Sequence, residues 1–174
     1  AQDTYNNTVS AFYGAGNTAE ITSTGTLSAG GGTTATFSSG VLASHSVTIS
    51  NLGSFTITAT DSAGGLGSGT ETGVSNSFTV DPGPLDHFVV EAVGGGAIGT
   101  QVAGAAFNIQ ITAEDANNNT QTFFDGAGNT VDITSTGTLS AGGGATATFT
   151  NGVLGPHSVT ITNTGSFTIT ATDS

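Results

Sequence analysis

The sequence predicts an all-β protein built of tandem two-sheet sandwich modules with a repeat of 112 residues. Displacing the chain by 112 positions aligns residues 1–62 with 113–174 without a gap, and 46 of those 62 positions are identical. Apolar residues alternate with Thr, Ser and Asn at period two in one segment after another, and nowhere do they recur at helical spacing. The 174 residues include 28 Gly, 33 Thr and 18 Ser. That composition suits pleated strands and tight turns, whereas each interior Gly costs a helix about 1 kcal/mol relative to Ala.

The modules are divided at Asp81-Pro82-Gly83-Pro84, where two prolines fix φ, remove donors and bias their predecessors to extended geometry. Residues 83–174 are expected to form a module lacking its final strand, and residues 1–82 the later part of a preceding one without its opening strands. From the linker onward, residues 85–93 place Phe88, Val90 and Ala92 on one face before the Gly94-Gly95-Gly96 break. Residues 105–115 alternate Phe107, Ile109, Ile111 and Ala113 against Asn108, Gln110 and Thr112. The same pattern predicts strands over 130–136, 146–149, 157–162 and 166–172. A seventh strand is supplied by 76–80, where Phe78 and Val80 share a face after a Gly-rich loop.

Charge excludes several functions. The chain has no Lys or Arg against 12 Asp and Glu, a formal net charge of -12. Phosphate backbones and anionic lipid surfaces are bound by cationic side chains, so neither nucleic acid nor a membrane surface is an expected partner. No Schiff base, Walker lysine, arginine clamp or Lys-Asn crosslink is available, and trypsin has no cleavage site. Cysteine is absent, which removes disulfides and thiolate metal sites. No apolar run approaches the roughly 20 residues that span a bilayer as a helix. With no initial Met and no cationic leader, the sequence is expected to be a mature chain or a segment of a longer array.

The Asp81-Pro82 linker, the strand and loop FNIQITAEDANNNT at 107–120, and the closing GSFTITATDS with its Gly-rich loop and SFTV resemble the bacterial immunoglobulin-like repeats of large surface adhesins and stalk proteins. The resemblance spans essentially the whole chain. It implies immunoglobulin-like sandwich modules carried in tandem outside a bacterial cell as a spacer or filament, sometimes with a distal binding tip.

Several residues are candidates for a site. Asp115, Asn117 and Asn119 have the D-x-N-x-N spacing that begins an EF-hand loop, but the twelfth position is Gly126 and the other copy carries Asp3, Tyr5 and Asn7. They are either calcium ligands at a module junction, with Asp61, Asp81 and Asp86 as further carboxylates, or an Asx-turn loop. No cofactor is required on this reading, and calcium is the one candidate. His45 and His157 occupy one repeat position before a strand; His157, Ser158 and Asp173 lack the pocket and oxyanion hole that a catalytic triad needs, so an enzyme is not expected. Asn6 and Asn118 begin sequons at equivalent positions and mark an exposed loop. Most of the ten phenylalanines fall on inward faces, whereas Tyr5, Tyr13, Phe123 and Phe124 lie in the loop after the second strand, placed to pack on a neighbouring module or stack on a sugar.

The missing strands at opposite ends of the two partial modules leave edges able to template a strand from a neighbour. The expected function is a structural repeat of a bacterial extracellular filament, stalk or adhesin shaft, its partners being copies of itself joined head to tail covalently or by strand complementation. The alternative is a surface adhesin module that binds a glycan or host surface through the loop aromatics.

Overall fold

The computed structural model describes residues 1–62 and 65–174, and among these the regular structure is all β, with fifteen strands and no helix. Two compact units divide between Asp81 and Pro82.

Unit 1 contains β1 (Ala19–Ser23), β2 (Leu27–Ala29), β3 (Gly32–Thr33), β4 (Thr48–Ile49), β5 (Gly53–Phe55), β6 (Ile57–Asp61), β7 (Thr72–Val74) and β8 (Phe78–Val80). Its largest sheet has the order β3-β1-β6-β7, beside two strand pairs, β2-β4 and β5-β8. The β1-β6 ladder is antiparallel and sets Ile21 opposite Ala59. Phe55 faces Phe78 across β5-β8. Burial is shallow: among the described residues the buried apolar side chains of this unit are Phe12, Ala19 and Ile21, each still 6–9% exposed.

Unit 2 contains β9 (Leu85–Ala92), β10 (Ala106–Asp115), β11 (Val131–Ser135), β12 (Leu139–Ala141), β13 (Gly144–Ala145), β14 (Val153–Ile161) and β15 (Ile169–Asp173). One sheet has the order β12-β14-β10-β9 and the other β13-β11-β15. Alternation on β10 sends Ile109, Ile111 and Ala113 into the same core as Val159 of β14 and Val131 and Ile133 of β11. The two sheets thus share one interior, the arrangement of a β-sandwich. β9 closes its edge with Phe88 opposite Ala113 and Val90 opposite Ile111. Three rings form the centre: Phe124 meets Phe149 edge-on at 4.8 Å and Phe88 at 5.3 Å, while Phe88 and Phe149 lie 5.9 Å apart.

The predicted strand at 146–149 does not form. Phe149 is buried there, but the segment is held by single bonds, Thr146 N donating to Val131 O at 2.9 Å and Phe149 N to Asn129 O at 3.2 Å. The short ladder strands β12 and β13 lie ahead of it, turning at Gly142, whose φ of +77° and whose missing Cβ leave room for the Ser158 carbonyl. β7 arises within what the sequence suggests is a Gly-rich loop.

Candidate functional site

The repeat lets one sequence be compared in two settings. Residues 153–161, VLGPHSVTI, form all of β14 because β10 lies alongside, with Phe107 opposite Val159 and Ile111 opposite Leu154. Their counterparts 41–49, VLASHSVTI, are a strand only at Thr48–Ile49. A strand needs a partner for its backbone donors and acceptors, and unit 1 has no strand beside Val41–Val47 among its described residues. Burial follows pairing. Phe149, Leu154 and Val159 are buried, while their counterparts Phe37, Leu42 and Val47 are half-exposed and Val41 is 53% exposed.

The consequence is an open apolar cavity of about 780 Å³ in unit 1, lined by Phe12, Ala19, Phe37, Val41, Leu42 and Leu66 among others. In unit 2 the equivalent surface is covered by Leu85, Phe88 and Val90 of β9 and by the inward side chains of β10. Phe12 and Phe37 keep the edge-on contact of their counterparts, 5.1 Å apart, but among the described residues no third ring caps them. Asp61 lines this cavity as a buried carboxylate; Gly69 N donates to its Oδ2 at 3.1 Å, and its Oδ1 has no hydrogen-bond partner among the described residues.

Unit 2 has its own open edge. In unit 1, Gly53–Phe55 is paired with β8, whereas the equivalent Gly165–Phe167 is in no strand. A cavity of about 540 Å³ lies there, lined by Val102, Phe107, Ile161, Phe167 and Ile169 among others.

A polar latch fixes the start of β9 to the loop after β10. Asp115 is 2% exposed, and its Oδ1 accepts from the backbone N–H of Asn117 at 2.9 Å and of Asn119 at 3.0 Å. Its Oδ2 accepts from Gly83 N at 2.9 Å and from Asn119 Nδ2 at 3.1 Å, and Gln121 Nε2 donates to the Gly83 carbonyl. Burial alone would raise the Asp115 pKa, but these donors, led by the Asn119 side chain, hold it at about 2. Asp3 forms the same loop in unit 1, accepting from Tyr5 N and Asn7 N at 2.9 Å each and from Asn7 Nδ2 at 3.0 Å. Those bonds lower its pKa, the Asn7 side chain first, but among the described residues no counterpart of Gly83 reaches it.

This geometry bears on the calcium candidates. Asn119 turns its amide nitrogen to Asp115, Asn117 contributes its backbone N–H, and the carboxylate oxygens accept from both residues, so the D-x-N-x-N spacing builds an Asx-turn. Asp61 and Asp81 belong to unit 1 and Asp86 to unit 2, where Asp86 Oδ2 pairs with His87 Nδ1 at 3.0 Å. No group of three or more His, Cys, Asp or Glu suited to a metal gathers among the described residues. His45 and His157 each hold a turn carbonyl through Nε2, that of Gly30 at 2.8 Å and of Gly142 at 2.9 Å.

The loop aromatics separate. Tyr5, Tyr13 and Phe123 are 84%, 61% and 67% exposed, but Phe124 is a core residue, 7% exposed and packed against Phe88 and Phe149, so it offers no surface to a neighbouring module or a sugar. The pair lies in a turn closed by Phe124 N donating to Gln121 O at 3.0 Å, and of the two rings it is Phe124 that turns inward. The repeat carries the signal: position 124 keeps Phe as Phe12, while position 123 is Ala11 in the other copy. Asn6 and Asn118 sit exposed in left-handed turns with φ of 64° and 61°.

The chain matches no family model, no curated protein and no solved structure. Comparison of the two copies within the chain marks Gly83 and Gln121 as residues of the strand-holding site that periodicity does not single out.

Proposed function

We propose that the chain is a structural repeat of an extracellular bacterial filament, stalk or adhesin shaft, built of immunoglobulin-like modules joined head to tail by covalent linkage or strand complementation. The observation that carries this is the pair of complementary deficits: unit 1 leaves an apolar surface open where unit 2 has β9 and β10, and unit 2 leaves Gly165–Phe167 unpaired where unit 1 has β8. Each unit displays the strands that the other lacks, so a continued array of the same repeat would complete every module. The alternating Thr-rich outer faces and the uniform negative charge suit an exposed shaft.

Electron cryo-imaging of the native material tests the proposal. Continuous fibres with an axial repeat of roughly 40 Å per module, the span of such strands plus turns and linker, are the expected result. Isolated single particles at all concentrations would overturn it.

A further inference from the structure

We propose that the open face of unit 1 is an acceptor site for a second β9–β10 segment, a two-stranded element with the sequence of Pro82–Thr112 from another copy of the repeat. This rests on the repeat-array reading above and names the occupant of its open surface. The template is unit 2, in which that segment lies against residues equivalent to those lining the cavity.

The correspondence can be followed contact by contact. The segment ends at Thr112, and the next residue of the period, Ala113, is the counterpart of Ala1. Ala113 N donates to Gly152 O at 2.8 Å; Ala1 N already makes the same bond to Gly40 O at 2.5 Å. The last few positions of the second strand are thus in place, and the segment would continue them along Val41–Val47. Its Phe88 would seat on Phe12 and Phe37, as it does on Phe124 and Phe149, and Gly83 N would donate to the carboxylate of Asp3. Ile111 and Phe107 would lie opposite Leu42 and Val47, the counterparts of Leu154 and Val159, which they face in unit 2. Two contacts change. Val9 stands where Gln121 holds the Gly83 carbonyl, and Gln2 stands where Glu114 faces His87 at 3.3 Å. Docking in unit 1 therefore relies more on the apolar face and less on the latch.

Exchange of β9–β10 between two chains would empty one unit to fill another, with no net gain in paired strand. The site fits a segment that is not already paired in its own module.

The test adds a synthetic Pro82–Thr112 peptide to the full chain and follows amide hydrogen exchange residue by residue. The expected result is saturable binding, with protection appearing at Val41–Val47 and no change across β10 and β14. A peptide with Phe88→Ala should bind about 100-fold more weakly, the scale expected for deleting a half-buried aromatic ring that packs on two others. Because the free peptide can self-associate, a second protein carries Pro82–Thr112 fused directly before Ala1. Its Val41–Val47 amides should be protected, and a fused segment with Phe88→Asp and Ile109→Asp should leave them exposed. Exchange at Val41–Val47 unchanged in the fusion, or peptide that displaces β9 from unit 2 instead, overturns the proposal. If native material forms fibres while the fusion leaves the groove unprotected, the docking fails and the array stands. Protection in the fusion without fibres from native material separates them the other way.

Discussion

Phe88→Ala should turn the closed unit 2 toward the open condition of unit 1. The ring is half-buried at the edge strand and joins Phe124 and Phe149, at 5.3 and 5.9 Å, into the three-ring centre. Half-burial of a phenylalanine side chain is worth about 1.5 kcal/mol. Two aromatic contacts add about 0.5–1 kcal/mol each. The expected loss is about 3 kcal/mol, at the low end for a Phe-to-Ala change because solvent already reaches the ring. For a unit of this size it lowers Tm by about 15 °C. Urea denaturation followed by the amide signals of unit 2 measures the loss, and exchange should accelerate first along β9 and its partners Gln110–Ala113. The same measurement on Phe12→Ala supplies the contrast, since Phe12 keeps one ring partner, Phe37, where Phe124 has two. A Phe88→Ala cost below about 1 kcal/mol, on the scale of an ordinary surface change, would refute the view that β9 closes the core through this ring.

Asp115→Ala should destabilise unit 2 by about 2 kcal/mol, since it strands the part-buried N–H of Gly83 and the loop donors together, and urea titration reads the loss. The same carboxylate sets an acid limit. Its folded pKa of about 2 lies below its ordinary 3.8, so its contribution is fully present above pH 4 and is lost as pH falls from about 4 through 2. Carboxyl-carbon NMR titration of Asp115 checks this directly. Gly142→Ala should cost about 2 kcal/mol or more, because φ is +77° and the new Cβ would lie 2.2 Å from the Ser158 carbonyl oxygen; a shifted denaturation midpoint is the readout. Chelation by EDTA should leave Tm unchanged, since the Asp115 oxygens already accept four N–H donors; a fall in Tm would return calcium to the Asp115 loop.

The strands that burial makes two-faced were legible. β9, β10, β11 and β15 each alternate apolar and polar residues, and their bounds fall within a few residues of the period-two runs. β3, β7, β12 and β13 were not, because two- or three-residue ladders of Gly, Ala, Ser, Thr and a lone Leu or Val contain too few side chains for a period. The segment 146–149 shows the opposite failure. Thr-Ala-Thr-Phe has the pattern of a strand, but only Phe149 is drawn into the core, and the backbone bonds irregularly to both sides. The D-x-N-x-N spacing leaves two readings open for a local reason: Asp and Asn two and four residues apart serve an Asx-turn as well as a metal, and the sequence does not say which way an amide points. The acceptor surface was legible as a deficit of strands, whereas its anchor, Phe88, became visible only against the unfilled pair Phe12 and Phe37.

Open edges are ordinarily an aggregation hazard, and the charge pattern bears on how this chain would avoid it. With 12 carboxylates and no Lys or Arg, the ion pairs open to its side chains involve histidine, such as His87 with Asp86 and Glu114. Every chain therefore repels its copies at any distance within a Debye length, about 8 Å in physiological salt. Against that repulsion, association must come from contacts close enough to exclude water and large enough to bury apolar area. The unit 1 surface meets that condition, since Phe12, Phe37, Val41 and Leu42 line it together, while the Thr-rich outer faces do not. Lateral sticking is opposed everywhere, and the apolar acceptor face is where a matching segment gains most. A chain with mixed charges would lose that discrimination, because sideways contacts between Lys and Asp would compete with the strand that belongs there.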